Sequence, residues 1–215
     1  MKNFLIFFVF ILISFNVLGQ KNEGYVRFAM QYSDSELSKE EMAVMPTESE
    51  MWFKGDRMKL QMPMGMGLQS SILIFNEEVH LLLDLMGNKM AIKTNKNEIQ
   101  NDSKKAKRFK LKSQTDETKE IAGYTCKKAI LSAEGEQDMI VWYTDQLKST
   151  GSWYYNMDGL NGFPLEFSLK TPEIDARMIA KEVKTDQVTD KLFIVPSDYK
   201  VMTQEEMMKS LGGMR

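Results

Sequence analysis

The chain is poor in the residues that carry most enzyme chemistry. It holds one cysteine, Cys126, and one histidine, His80, in 215 residues. A single thiol excludes an intramolecular disulfide. Zinc sites need four spaced Cys or His ligands, or three and a water, so no such site is expected. A Ser-His-Asp triad would have to use His80, which stands in the run Val79-His80-Leu81-Leu82-Leu83 with no nucleophile elbow near it. It reads as a structural histidine. No Gly-x-Gly-x-x-Gly or P-loop pattern offers a phosphate cradle. The Asp and Glu residues are scattered, mostly at turns, and nothing in the sequence singles out a catalytic pair. The expectation is a protein that is not an enzyme, with no catalytic residue, cofactor or metal. Excess positive charge is also lacking. With 28 basic and 30 acidic residues the net charge is −2, which excludes the strongly basic footprint of a nucleic-acid binder. Linkers rich in Pro, Gly or Ser are absent, so residues 21–215 are expected to form one domain.

Long apolar runs are confined to the start of the chain. Lys2 precedes an almost unbroken apolar stretch from Phe4 to Leu18, closed by Gly19-Gln20. This is the order of a secretory signal peptide. The stretch is short for a membrane span, which needs about 20 residues, and Asn16 interrupts it. Residues 1–20 are therefore expected to be a leader. Residues 19–24 contain no cysteine to acylate, so the expected product is a soluble periplasmic or secreted protein rather than a lipoprotein. Cys126 reads as a small buried hydrophobe, with an intermolecular disulfide or reactive thiol as the alternative.

Strand signals dominate from Tyr25 onward. Val26, Phe28, Met30 and Tyr32 alternate with a second, partly polar face that includes Tyr25. Residues 35–45 could form a short helix ended by Pro46. Glu48 to Lys54, Gly55-Asp56 and the chain from Arg57 predict a hairpin. Ser71–Phe75, Val79–Leu85 and Lys89–Thr94 predict an antiparallel meander with turns at Asn76-Glu77-Glu78 and Gly87-Asn88. Asn95 to Lys112 breaks this rhythm. Tyr124–Ser132, Asp138–Thr144, Pro164–Lys170, Arg177–Lys184 and Lys191–Val195 read as further strands. Thr203 and Glu206 fit a capping box for a C-terminal helix that Gly212-Gly213 stops.

Methionine is the compositional oddity, with 18 in the chain. Met58, Leu60, Met62, Met64, Met66 and Leu68 occupy every second position, which puts all six on one face of an extended chain. Pro63, Gly65 and Gly67 on the other face weaken sheet pairing toward the far end. Three readings stay open: plain packing, an apolar site for an acyl chain or lipidated protein, and a Cu(I) site through Met62, Met64 and Met66. Geometry weighs against the last while the strip stays extended. Met62 and Met66 would then lie roughly 13 Å apart, whereas sulfurs sharing one ion at about 2.3 Å lie at most ~4.6 Å apart.

Lys104, Lys105, Lys107 and Arg108 make a basic cluster, either a solvated surface or a patch for anionic lipid or an envelope protein partner. Trp52, Trp142 and Trp153 could stack sugars, although aromatics on strands are commonly core.

Several short motifs run in a telling order. They are Thr-Lys-Glu-Ile-Ala-Gly-Tyr-Thr-Cys-Lys-Lys-Ala at 118–129, Val141-Trp142-Tyr143-Thr144, Gly162-Phe163-Pro164-Leu165-Glu166, and Phe193-Ile194-Val195-Pro196 with Asp198-Tyr199-Lys200. Together they resemble the domain of unknown function 4412 family of secreted bacterial proteins. That family is similar in predicted shape to the lipoprotein-localisation carriers of the LolA/LolB type. The resemblance implies a mainly β fold: a single antiparallel sheet curled into a half-open barrel around an apolar hollow, with short lid helices and a C-terminal helix. It implies no catalytic residue. On physical grounds Gly123 and Gly162 read as bend and turn residues.

Overall fold

The computed structural model describes residues 20–33, 38–65, 68–75, 78–95, 108–148, 157–170 and 175–212. The expected leader, Met66, Trp153 and the lysines at 104, 105 and 107 lie outside the described residues. No helix among the described residues is long and apolar enough to cross a membrane.

Among the described residues thirteen strands form one open, curled sheet. The first half runs β1 (Glu23–Tyr32), β2 (Glu48–Lys54), β3 (Arg57–Pro63), β4 (Leu68–Phe75), β5 (Glu78–Leu85) and β6 (Asn88–Asn95). The second runs β7 (Phe109–Ile121), β8 (Tyr124–Ser132), β9 (Met139–Thr144), β10 (Met157–Asp158), β11 (Phe163–Lys170), β12 (Asp175–Lys184) and β13 (Lys200–Thr203). Their order across the sheet is β10-β7-β8-β9-β11-β12-β1-β2-β3-β4-β5-β6-β13. Every ladder is antiparallel except those of the two edge strands, β10 on β7 and β13 on β6. A twisted open sheet this wide must curl, and this one gives the expected half-open barrel.

The inner face carries the main core. Phe28, Met51, Leu60, Ile74, Leu131, Leu165, Phe167 and Met178 are all fully buried there. Period-two patterning explains why: Val26 and Phe28 point inward from β1 while Tyr25 and Arg27 point outward. A second, smaller core lies on the outer face. Residues 185–199 leave β12 and cross behind the first half of the sheet to reach β13, so that Val188 and Phe193 cover Leu73, Leu82 and Ala91. We call this segment the strap. His80 is buried on the same face, with Nε2 3.3 Å from the Glu78 carboxylate.

Two α-helices among the described residues flank the sheet. Helix α1 (Lys39–Val44) begins with a capping box in which the Ser38 hydroxyl accepts from the Glu41 N–H and the Glu41 carboxylate accepts from the Ser38 N–H. Helix α2 (Gln204–Gly212) has the expected box between Thr203 and Glu206.

Four expectations need correction. Lys191–Val195 is not a strand: Asp190–Phe193 is a 3-10 turn inside the strap. Leu192, Phe193 and Val195 all pack on the outer core, so the apolar run covers the sheet instead of joining it. Phe109–Lys112 belongs to β7, not to a loop. The strand is largely polar on both faces, so no period-two signal marked it. Helix α1 ends at Val44, with Met45 already extended, one residue short of the expected 35–45 span. The methionine strip is not one strand, because a turn divides it between β3 and β4.

Candidate functional site

The strip Met58 to Leu68 is split by a hairpin. Strand β3 ends at Pro63, the Met64 N–H donates to the Leu68 carbonyl at 2.9 Å, and β4 returns with Pro63 opposite Gln69. Proline cannot donate to a ladder and Gly65 has no side chain, so the chain turns where extension is least supported. Register still places Met58, Leu60 and Met62 on the face that Ile72 and Ile74 share. Met58 and Leu60 are buried in the inner core. Met62, Met64 and Leu68 are half-buried at the hairpin end.

That end of the half-barrel collects methionines from several elements. The β1–α1–β2 connection brings Met30, Met42 and Met45, of which Met42 and Met45 are half-buried on or beside α1. The Tyr32 hydroxyl donates to the Pro46 carbonyl at 2.6 Å and lies 4.0 Å from the Met30 sulfur, and burial raises its pKa. The β5–β6 turn adds Leu85 and Met86, the latter 77% exposed. Helix α1 sits directly on the hairpin: a Cβ at Gly65 would lie 2.8 Å from the Ala43 carbonyl oxygen and 2.9 Å from Val44 Cα. Glycine is thus required for the helix to approach so closely. The result is a methionine-rich rim, with α1 beside the hairpin as a lid would be.

The basic cluster is described only at Arg108, which is exposed and 3.8 Å from the Asp158 carboxylate. With Lys110, Ser132, Ala133 and Glu134 it lines an open basin of about 650 Å³. Cys126 is fully buried, and burial pushes its thiol up to about 12, which fits the buried-hydrophobe reading. Among the described residues no group of three His, Cys, Asp or Glu side chains could hold a metal ion.

One group escaped sequence reasoning. Glu166 faces outward between the inward Leu165 and Phe167, yet is only 6% exposed. The Lys119 ammonium donates to its carboxylate at 2.6 Å and the Arg177 guanidinium donates to it from the other side. Burial raises its pKa, but the bonds from Arg177 and Lys119 outweigh burial, so the carboxyl is held below its ordinary value. Lys119 also lies 4.3 Å above the Trp142 ring. The three chain positions are distant in sequence, and only the sheet register joins them. A second outer-face feature is a cleft of about 370 Å³ between the strap and Tyr25 and Trp52.

The motif glycines have structural roles. Ala122 and Gly123 both have positive φ (50° and 83°) in the β7–β8 turn. Gly162 has φ 154°, and a Cβ there would meet the Tyr143 ring at 2.4 Å and the Thr144 carbonyl oxygen at 2.8 Å.

The family model described as "N-glycanase peptide, N-terminal domain" matches residues 84–199, more than half of the chain. The match is to this family rather than to the domain of unknown function 4412 family. None of the curated proteins matches. Among solved structures, an uncharacterized conserved protein from Thermus thermophilus is 12% identical with a TM-score of 0.51, covering 86% of this chain and 91% of that one. At that identity the likeness shows a shared fold alone. LprF from Mycobacterium bovis is 8% identical, with 85% and 91% coverage and a TM-score of 0.37. The MucA/MucB complex of Pseudomonas aeruginosa gives 9%, 86% and 60%, and 0.35. At these two scores neither likeness carries an argument.

Proposed function

We propose that this chain, which belongs to the N-glycanase peptide N-terminal domain family, is a binding module whose half-barrel takes an apolar guest at its methionine-rich rim. The observation that carries the reading is the convergence of Met30, Met42, Met45, Met62, Met64 and Met86 on one end of the sheet. Unbranched thioethers adapt to varied apolar shapes at little cost. Met58 and Leu60 form the floor behind them, and Leu68 completes the lip. The middle of the inner face is filled by fully buried side chains, so the guest is held at the mouth rather than swallowed. An acyl chain or the lipidated end of a protein has the right chemistry. The first 20 residues act as a leader, and the protein works outside the cytoplasm. Mass spectrometry of the native N-terminus tests that part.

Titration with a fluorescent fatty acid tests the rim. Saturable binding is expected, weakened about tenfold or more by Met64→Lys, since a cation in an apolar contact costs at least ~1.4 kcal/mol. No saturable binding, or binding indifferent to that charge, overturns the reading.

The hairpin turn favours a second reading. By reversing the chain between Pro63 and Leu68 it removes the fully extended strip whose spacing weighed against a shared ion; Met62 and Met64 lie on the near side of the reversal, and Met66 lies outside the described residues. Thioethers select Cu(I). Titration under reducing conditions, with the triple Met→Leu variant as control, decides it: equal affinity in both proteins removes the metal. Arg108 with Lys104, Lys105 and Lys107 remains the proposed surface for an envelope partner. In that case cross-linking in intact cells loses its partner when Lys104, Lys105 and Lys107 are changed to glutamate.

A further inference from the structure

The outer cleft is built from parts the rim does not use. Tyr25 and Trp52 are cross-strand partners on β1 and β2, and their rings lie 5.4 Å apart at 49°. They form two flat apolar surfaces side by side, each half-buried. The Tyr25 hydroxyl is fixed by donation to Glu50 at 2.8 Å. Val188 and Leu192 of the strap extend the apolar floor. The strap side is polar and exposed at Asp186, Gln187 and Thr189, while Lys184, the cross-strand partner of Tyr25 on β12, holds its ammonium 5.7 Å from the Tyr25 ring.

The wall is held in place. The Val188 N–H donates to the Glu23 carboxylate at 3.2 Å, and its carbonyl accepts from Lys54 at 3.0 Å. Asp190, two residues on, is 2.9 Å from the Lys54 ammonium and 3.1 Å from the Arg57 guanidinium. Arg57 in turn lies 5.2 Å over the Phe193 ring. The strap is therefore clamped on the sheet by charge and packing together, and the cleft does not depend on a guest to form. Its volume of about 370 Å³ falls in the range of small-molecule sites, about 300–1,000 Å³.

We propose that this cleft is a saccharide-binding site for a short neutral oligosaccharide. The lining chooses the ligand class. An apolar floor suits the C–H face of a sugar ring, as ring systems suit other flat apolar surfaces. The lining offers an ammonium, a carboxylate, an amide and a hydroxyl, so donors and acceptors are mixed. A ligand rich in hydroxyls pairs with all four. An anionic ligand would meet Asp186, and a cationic one would meet Lys184 as well as the ammonium of Lys59, 5.6 Å from the Trp52 ring. A wholly apolar guest would gain nothing from the polar side of the cleft. The exposure of the wall implies weak binding, of the kind that gains strength when several sites engage one chain.

The test uses the full chain and a panel of neutral oligosaccharides: chitotriose, mannotriose and maltotriose. Side-chain NMR signals of the Trp52 indole N–H and the Gln187 amide are followed in titration. Saturable shifts with at least one sugar are expected. Asp186→Ala and Gln187→Ala, both on exposed strap positions, should each weaken that binding about fivefold, the equivalent of one hydrogen bond of ~1 kcal/mol. Met64→Lys should leave it unchanged, which separates this site from the rim. Thermal melts check that the variants are folded. Three results would overturn the proposal: no saturable shift with any sugar, saturable shifts indifferent to both strap variants, or equal shifts produced by cyclohexanol, a ring of similar size with a single hydroxyl.

Discussion

Replacing Glu166 by glutamine removes one charge and almost no volume, so it isolates the worth of the outer-face clasp. The carboxylate is 8% exposed by its side chain, against 32% for Lys119 and 52% for Arg177. Hydrogen bonds to charged groups are worth about 1.5–3 kcal/mol each, but cations this exposed recover much of their hydration, and exposed pairs are worth little. The expected loss is therefore about 2 kcal/mol rather than the ~3–5 kcal/mol of a fully buried pair that loses one partner. For a chain of this size that lowers Tm by about 4–8 °C. The pH dependence has a definite sign. Glu166 is held below its ordinary value in the fold, so its stabilisation is fully present above the unfolded value, about 4.3. It disappears as pH falls through the folded one. Urea melts of both proteins across pH should therefore show a gap at neutral pH that closes in acid. A gap under ~0.5 kcal/mol at pH 7, or one that persists undiminished in acid, would refute the ion-pair account.

Other substitutions separate packing from rim. Leu60→Ala should cost about 2–5 kcal/mol, as a fully buried truncation does. Met64→Leu, half-buried on the hairpin, should stay within ~1.5 kcal/mol; urea midpoints compare the two. Gly162→Ala forces a Cβ against the Tyr143 ring and the Thr144 carbonyl, and about 1–3 kcal/mol should be lost by the same assay. The Cys126 thiol, fully buried and pushed up to about 12, should react with a thiol reagent at pH 8 only after denaturant is added. Prompt labelling of the native protein would contradict its burial.

The sequence was most legible where one face of a strand is dry. Val26 and Phe28, Leu165 and Phe167, and the hairpin at Gly55-Asp56 all follow from alternation and turn chemistry. It was illegible where polarity covers both faces, as along β7, and where an apolar segment crosses the sheet instead of joining it, as in the strap. The methionine strip shows the middle case. Alternation correctly grouped Met58, Leu60 and Met62, but Pro63 and Gly65 ended the strand before Leu68, and only the fold shows that Met30, Met42 and Met45 arrive at the same rim. The Glu166 clasp needs Lys119 brought from β7, and the Tyr25–Trp52 cleft needs the strap brought from the far end of the chain, contacts that no local pattern encodes.

The join between β1 and β12 pairs Tyr25 with Lys184 and carries a bulge at Arg27/Phe28. On either side of it nearly every strand pairs with a close neighbour in the chain. Most of each half can therefore zip up locally and fast, while the seam must wait for a loop of some 150 residues to close and the β13 edge for one of about 110. The seam is expected to be the slow step of assembly, and the strap, which leaves β12 and is tied to Glu23, Lys54 and Arg57 on the other side, then acts as a buckle across it.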